Sequence, residues 1–348
     1  MLTKILWVAV LALAAFIVTG VLLPAQHQVE RSIVIERPVS VVFSLLNSYA
    51  SFNQWSPWAE RDPEARYTLS GPEAGVGARL AWDGDPRLVG SGWQEITASR
   101  PYERIEMTLD FGDQGVAQSY YALEDVNGAS HLSWGFTTDV TAGKGWFGAL
   151  MGKYFGLFLE QWVGADYEQG LATLKQYAES LPEADFASAD IAIVEVAPVD
   201  VLMVSASSSQ QADDVARALA EAFGEITRYM TANDIEIAGQ PMAITRAWDE
   251  QGYRFDAALP VDRLPESVNG RIRAGQSPGG RAIRIIHRGP YDEMLGSYDA
   301  LASYMAAHGL REGAVSWEHY ISDPGDTAPE DLVTHIYIQL ADPAQSPG

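Results

Sequence analysis

Nineteen consecutive residues without a charge, Ile5 to Leu23 ("ILWVAVLALAAFIVTGVLL"), stand near the start of the chain and limit what the rest can do. As a helix rising about 1.5 Å per residue they would extend roughly 28 Å, close to the hydrocarbon thickness of a bilayer. Lys4 precedes the run, Trp7 sits near one end and Pro24 terminates it. A cleavable signal has an apolar core of about 7–15 residues followed by small residues at A-x-A-like spacing. The longer core here, and the exit "LLPAQHQ", favour an uncleaved anchor over a cleaved signal, so residues 1–25 are assigned to one or the other. The lysine on the short side places the N-terminus inside. The protein is then a single-pass protein of the cell membrane, with its bulk on the periplasmic or extracytoplasmic side.

The remainder of the chain is long enough for two domains: the protein has 348 residues, and 47% of them are hydrophobic. The net charge is −23, with −9 falling on residues 26–182, −15 on residues 183–348 and +1 on Lys4. Neither half has a basic run, so a nucleic-acid surface, which needs clustered Lys and Arg, is excluded as a partner. The acidity itself reads as solubility. With no cysteine, disulfides, thiolate metal sites and a thiol nucleophile are also excluded. No spacing of His, Asp or Glu calls for a metal or cofactor. The stretch "SLPEADFASAD", Ser180 to Asp190, mixes Pro, Ser, Ala and acids without a period and reads as a linker. The domains are set at residues 29–181 and 191–341, the linker at 182–190 and a tail at 342–348.

The first domain opens on the strand-like "VERSIVIE", and Pro38 then starts a helical stretch. About six alternating runs come next, from "ARYTLSG" to "SHLSWGFTTDV", divided by turn signals such as Asn127-Gly128. A long helix is predicted from Trp146 to Glu179, with Leu150, Tyr154, Phe158, Trp162 and Ala165 as its apolar stripe. Gly148, Gly152 and Gly156 predict a loosened start to that helix near a cavity mouth. Such a sheet would curl around the helix and enclose a cavity that Trp55, Trp58, Trp82, Trp93, Tyr120, Trp134 and Trp162 could line or fill. The stretches "RPVSVVFSLLNSYASFNQWSPW" and "YFGLFLEQWVGADYEQGLATLK" make this half similar to the SRPBCC superfamily (START-like, polyketide cyclase/dehydrase). The resemblance implies a helix-grip fold with a curved antiparallel sheet, a long C-terminal helix and an apolar ligand cavity.

The second domain carries an internal repeat. "ITRYMTANDIEIAGQPMAIT" (Ile226 to Thr245) and "LASYMAAHGLREGAVSWEHY" (Leu301 to Tyr320) superpose at an offset of 75 residues, with Tyr229 on Tyr304 and Met230 on Met305. Each copy reads as strand, helix, strand, strand. A duplicated βαββ unit in an α+β chain would pair its halves to bury their apolar faces, leaving a groove between them.

In "SWEHYISDP", Glu318 stands mid-strand where a β-branched residue is usual. Alternation predicts that Trp317 and Ile321 pack under the helix, together with Ile336, Ile338 and Leu340 of the next strand. Glu318 and Tyr320, with His335 and Tyr337 across from them, would then face the groove. A carboxylate sheltered among aromatic rings suits a cationic, lipophilic ligand. The first copy has Ala243 at the equivalent position, so the fold of the unit does not require the acid. The bland alternative is an exposed glutamate paired with Arg246 or Arg284.

The stretches "IIHRGPYDEMLGSYDALASYM", "SWEHYISDP" and "VTHIYIQL" make this half similar to the GyrI-like, or AraC-effector-binding, family. The resemblance implies multidrug sensing, with an acidic groove residue contacting cationic aromatic ligands. That role falls on Glu318, with Tyr320, Tyr337, His335 and Tyr291 as further binding residues. The chain departs from transcription factors of that family in having a membrane segment where they carry a DNA-binding domain.

The leading reading is a membrane-anchored binder of lipophilic small molecules, a sensor or a sequestering protein. One alternative is a hydrolase or cyclase of a reactive or polycyclic molecule with Glu318 as general base. Another is a protein-interaction module without a ligand. The sequence names no protein partner.

Overall fold

The computed structural model describes residues 2–112 and 115–341; the tail assigned to residues 342–348 lies outside them. The apolar run forms α1 (Leu2–Leu22), ended by Pro24. It is the one helix among the described residues long and apolar enough to cross a membrane: Lys4–Leu22, with mean hydropathy 2.7. After it the chain divides into two compact units. The first runs to Ala187 and the second from Ser188, apart from Ala307–Gly309, which group with the first.

The first unit is a seven-stranded antiparallel sheet. Its strands are β1 (Gln26–Ile35), β2 (Arg66–Ser70), β3 (Arg79–Asp83), β4 (Ser91–Arg100), β5 (Arg104–Asp110), β6 (Val116–Val126) and β7 (Ala129–Asp139). Their order across the sheet is β1-β7-β6-β5-β4-β3-β2: a meander whose last strand pairs with the first. The short helices α2 (Val39–Leu46) and α3 (Pro57–Arg61) fill the connection between β1 and β2.

The predicted long helix is two helices, α4 (Trp146–Gly156) and α5 (Leu159–Glu179). At the break the amides of Leu157 and Phe158 bond three residues back, to Tyr154 and Phe155, where an α-helix would bond four back. The predicted stripe therefore does not continue across it, and Phe158 and Trp162 are exposed. The face of α5 that meets the sheet is carried by Tyr167, Leu171, Leu174 and Ala178.

Close approach, not looseness, explains two of the glycines of α4. A Cβ on Gly152 would strike the Val140 carbonyl, and one on Gly156 would strike the His27 ring. The same applies where α4 meets α1: a Cβ on Gly20 would strike Leu150 and Tyr154.

Rings occupy the space between sheet and helix in this unit. Trp134 stacks on Tyr167 at 3.8 Å between centroids, and Trp55 and Trp58 meet Trp134 edge-on at 5.7 and 5.8 Å. Trp134 Nε1 donates to Ser119 Oγ (3.1 Å), which donates to the Gly135 carbonyl (2.8 Å), whereas the buried Trp55 Nε1, Tyr49 Oη and Tyr67 Oη meet no partner among the described residues. The other aromatics named as cavity wall lie elsewhere. Trp93 sits beneath the Arg79 guanidinium, Tyr120 beneath that of Arg104, and Trp82 packs edge-on with Phe111.

The second unit is an eight-stranded antiparallel sheet with two helices. Its elements are β8 (Ile191–Val196), β9 (Asp200–Ser208), α6 (Ala212–Ala232), β10 (Met242–Asp249), β11 (Gly252–Pro260), β12 (Arg273–Gln276), β13 (Gly280–Arg288), α7 (Met294–Ala307), β14 (Glu312–Tyr320) and β15 (Val333–Leu340). Their order is β12-β9-β11-β10-β14-β15-β13-β8, so β10 and β14 meet at the centre. On one face α6 covers Leu202, Val204, Ala243, Phe255 and Ala257. The opposite face is also buried, around Val201, Met242, Ile244, Ala258 and Trp317. Both faces of this sheet are therefore apolar.

Leu174 is fully buried between α5 and the first sheet. Replacing it with Ala should cost about 2–5 kcal/mol through lost contacts and the cavity left behind. In urea unfolding the transition of the first unit should move to lower denaturant while that of the second stays in place.

Candidate functional site

The seam between β10 and β14 pairs Ala243 with Glu318. The small residue leaves room beside the acid on the helix-covered face. Glu318 is only 9% exposed. Its carboxylate accepts two hydrogen bonds from phenols: Tyr298 Oη donates to Oε1 at 2.6 Å, and Tyr320 Oη donates to Oε2 at 2.7 Å. Tyr298 belongs to the sheet-facing stripe of α7, Met294, Tyr298, Leu301 and Met305, whose four-, three- and four-residue spacing keeps one helical face. Tyr320 is two residues beyond Glu318 on the same strand and shares its face.

Further rings close the site. Phe223 of α6 meets Tyr320 edge-on at 6.3 Å, and Tyr291 meets it edge-on at 5.7 Å. Gly289 makes the turn that brings Tyr291 there; its φ of +126° is a conformation that side chains rarely tolerate. His287, buried on the same face, holds this corner together: Nδ1 lies 2.9 Å from Ser297 Oγ and Nε2 lies 3.1 Å from the Pro290 carbonyl. A bond to a carbonyl requires Nε2 to carry the proton, so Nδ1 accepts from the serine in the neutral ring.

Among the described residues, Arg246 and Arg284, the two guanidinium groups weighed as partners for this acid, are engaged elsewhere. Arg246 pairs with Asp256 at 2.8 Å, and Arg284 lies 3.9 Å from Asp190. Burial pushes the Glu318 carboxyl above its ordinary value; the two phenol bonds, and the charge of His287 when that ring is protonated, pull it back only in part. The phenols respond in kind. Burial and the neighbouring carboxylate hold Tyr298 and Tyr320 well above the usual phenol range, and Tyr253 and Tyr291 are raised for the same two reasons.

His335 and Tyr337, expected beside Glu318, lie on the other face of the sheet. Register pairs Glu318 with Ile336, whereas Trp317 pairs with Tyr337 and His319 with His335. The Trp317 and Tyr337 rings stack at 5.0 Å with 3° between their planes. The expectation that Trp317 packs beneath the helix is thus reversed, while Ile336 is where it was placed. The physical reason is that both faces of this sheet are buried, so apolar character does not distinguish them. His319 and His335 on that far face have their ring pKa values lowered by burial, His319 to about 4.

A cavity of about 270 Å³ opens next to the acid's partner, lined by Thr245, Tyr298, Ser316 and Ile338 together with the charged Arg246 and Glu312. Thr245 pairs with Ser316 and Ser316 with Ile338, and Ser316 is two residues from Glu318, so this cavity lies on the acid's own face. Tyr298, Phe223, Tyr253 and His287 are site residues that sequence reasoning missed. The four-residue step from Met294 to Tyr298 on α7 is the signal that could have found the first of them.

Two α+β units, one a seven-stranded sheet closed by a helix and the other an eight-stranded sheet under two helices, define the class of molecule. Residues 26–179 match the family described as "Polyketide cyclase / dehydrase and lipid transport", and residues 189–341 match the "GyrI-like small molecule binding domain". Each half thus corresponds to the family it resembles in sequence, and both families bind small molecules. No curated protein matches the chain. Solved structures similar to it include a hydrolase from Listeria innocua (14% identity, 43% of this chain and 91% of that one, TM-score 0.34). The C-terminal domain of EcmrR is another (17%, 44% and 98%, TM-score 0.39), and Ara h 8.0201 a third (12%, 44% and 99%, TM-score 0.32).

The folded carboxyl of Glu318 binds its proton more tightly than the unfolded one. Its favourable contribution is therefore fully present below the unfolded value of about 4.5 and is lost as pH rises through the higher folded value. Glu318→Gln should melt at a higher temperature than the parent near pH 7.5, and the gap should narrow as the buffer is taken toward pH 4.5. Differential scanning calorimetry at several pH values measures both.

Proposed function

We propose that this is a membrane-anchored small-molecule-binding protein whose second unit takes lipophilic cations at Glu318. The observation that carries the reading is a nearly buried carboxylate met by two phenols and by no guanidinium. Ionised, the group is costly where it stands, because burial penalises the charge and the phenol bonds offset only part of that penalty. A cation entering the site supplies the missing charge, and Tyr291, Tyr298, Tyr320 and Phe223 offer ring faces for its aromatic or quaternary part.

The adjoining cavity of about 270 Å³ is slightly below the usual range for ligand sites, about 300–1,000 Å³. Tyr298 both lines that cavity and donates to Glu318. Swinging its ring would join the two spaces, so Tyr298 serves as the gate and its phenol marks the place of the cation in the unliganded protein. Tyr291 and Tyr320 form the opposite wall. His335 and Tyr337, on the far face, have no part in this site.

The duplicated βαββ reading fits the strand order. β9, β11 and β10 on one side of the seam correspond to β13, β15 and β14 on the other, each trio with one helix. Glu318 lies at that seam, with rings reaching it from α7 directly and from α6 through Tyr320. With α1 in the membrane, the protein would meet its ligands where lipophilic cations concentrate and would act there as a sensor or a sequestering protein. The reading places the cation site in the second unit, at Glu318.

The test is a titration of the full chain, held in lipid nanodiscs, with a lipophilic aromatic cation and with a neutral compound of the same shape. Saturable quenching of protein fluorescence by the cation is expected, weakening about tenfold or more in Glu318→Gln, equivalent to about 1.4 kcal/mol or more. Affinity should also fall as pH drops through the raised pKa of Glu318. Equal binding of the cation by parent and variant would overturn the assignment.

A further inference from the structure

The face that α4 and the first turn of α5 turn outward does not suit water. Trp146, Phe147, Met151, Phe155, Phe158 and Trp162 are each between 43% and 65% exposed. Phe155 and Phe158 both lean on Trp162, at 5.2 and 5.6 Å, so the rings form one continuous patch. Phe147, Met151 and Phe155 succeed one another at four-residue spacing and share a helical face. The opposite face carries Gly152 and Gly156, pressed against Val140 and His27. α4 is thus fixed to the sheet by its small residues and presents its large ones outward.

Two independent features say what covers this patch. The first is its continuity with α1. Tyr154 stacks on Phe16 at 4.4 Å and donates its phenol to the Phe16 carbonyl at 2.6 Å, while Lys153 Nζ donates to the Val21 carbonyl at 2.8 Å. α4 therefore lies against the last turns of α1. From Phe16 to Leu22 is about 9 Å along the helix axis, which matches the roughly 5–10 Å to which interfacial helices sink below the headgroups.

The second feature is charge. From Val140 to Leu159 there is no acidic residue, and Lys144 and Lys153 are present, in a chain of net charge −23. Glu160, in the first turn of α5, is met by Arg31 at 3.0 Å, so an aromatic helix free of acids and carrying lysines is matched to an anionic lipid surface.

We infer that α4 and the start of α5 form an interfacial membrane-docking element that lays the first unit on the bilayer beside α1. The inference rests on α1 being the membrane anchor, and it goes further: the folded unit is not tethered at a distance but seated at the lipid surface by its own rings. It also accounts for the break between α4 and α5. An unbroken helix would carry one face straight through, whereas the break lets α5 turn its apolar face to the sheet while Phe158 and Trp162 stay with the patch.

The absence of native cysteine makes the test direct. The full chain carrying Phe155→Cys, labelled with an environment-sensitive fluorophore, is reconstituted into vesicles of phosphatidylcholine and phosphatidylglycerol. The vesicles contain lipids spin-labelled either near the headgroup or deep in the acyl chain. The expected result is a blue-shifted emission quenched more strongly by the shallow label than by the deep one. Leu13→Cys, in the middle of α1, should be quenched most by the deep label, and Leu69→Cys, on the far edge strand β2, by neither. An unquenched probe at 155 overturns the inference, including the case in which a second copy or another protein covers the patch. If 155 is unquenched while 13 is quenched, the anchor stands and the docking fails. If 13 is unquenched, the anchor reading fails, and the inference that rests on it fails with it.

Discussion

A carboxylate that has lost most of its water and gained two phenols, but no guanidinium, is the constraint around which the second unit is organised. Glu318 could be an ordinary apolar strand residue, as Ala243 is across the seam from it. Its presence obliges the surrounding elements to supply donors. α7 places Tyr298 on its sheet-facing stripe, β14 places Tyr320 two residues along, and Gly289 with Pro290 sets the turn that brings Tyr291 over Tyr320. Two hydrogen bonds make the buried charge tolerable without making it stable, because neutral donors offset desolvation only in part. The site therefore holds an unmet demand for positive charge next to a cavity one ring away.

The first unit solves a different problem. Its interior is filled by Trp55, Trp134, Tyr121 and Tyr167, and its helices come close through Gly20, Gly152 and Gly156. Small residues where backbones approach and large ones where rings stack make a rigid body of the kind that can be held against a surface. The rings left outside it, on α4 and the first turn of α5, lie next to the end of α1.

Much of this could be read from the residues in order. The uncharged run from Ile5 to Leu23 reads as a long apolar helix, and alternation with turn signals marked the strands of the first sheet and all of the second except the short edge strands β8 and β12. The strand, helix, strand, strand reading put one helix ahead of each of the strands that became β10 and β14. Glu318 stood out because it interrupts an aromatic strand. The failures have physical causes. Alternation shows which residues share a face but not which face a helix covers, and with Trp317 and Ile336 both fully buried the sheet gave no polar side to decide it. His335 and Tyr337 were assigned to the acid's face on that account. Tyr298 was overlooked because a tyrosine on an apolar helical stripe looks like core until its hydroxyl is traced. The stripe drawn through Leu150, Phe158 and Trp162 assumed an unbroken helix, whereas the amides of Leu157 and Phe158 bond three residues back just after Gly156, whose close approach to His27 no local pattern reveals.

The proposed ligand binding in the second unit depends on Glu318 being desolvated and met by no guanidinium. Isotope-edited infrared difference spectroscopy of the glutamate carboxyl, parent minus Glu318→Gln, titrates that one group directly. The expected result is an apparent pKa above the ordinary 4.5 in the unliganded protein, falling when an aromatic cation is bound. A pKa at or below 4.5 without ligand, or one unmoved by a saturating cation, would contradict it.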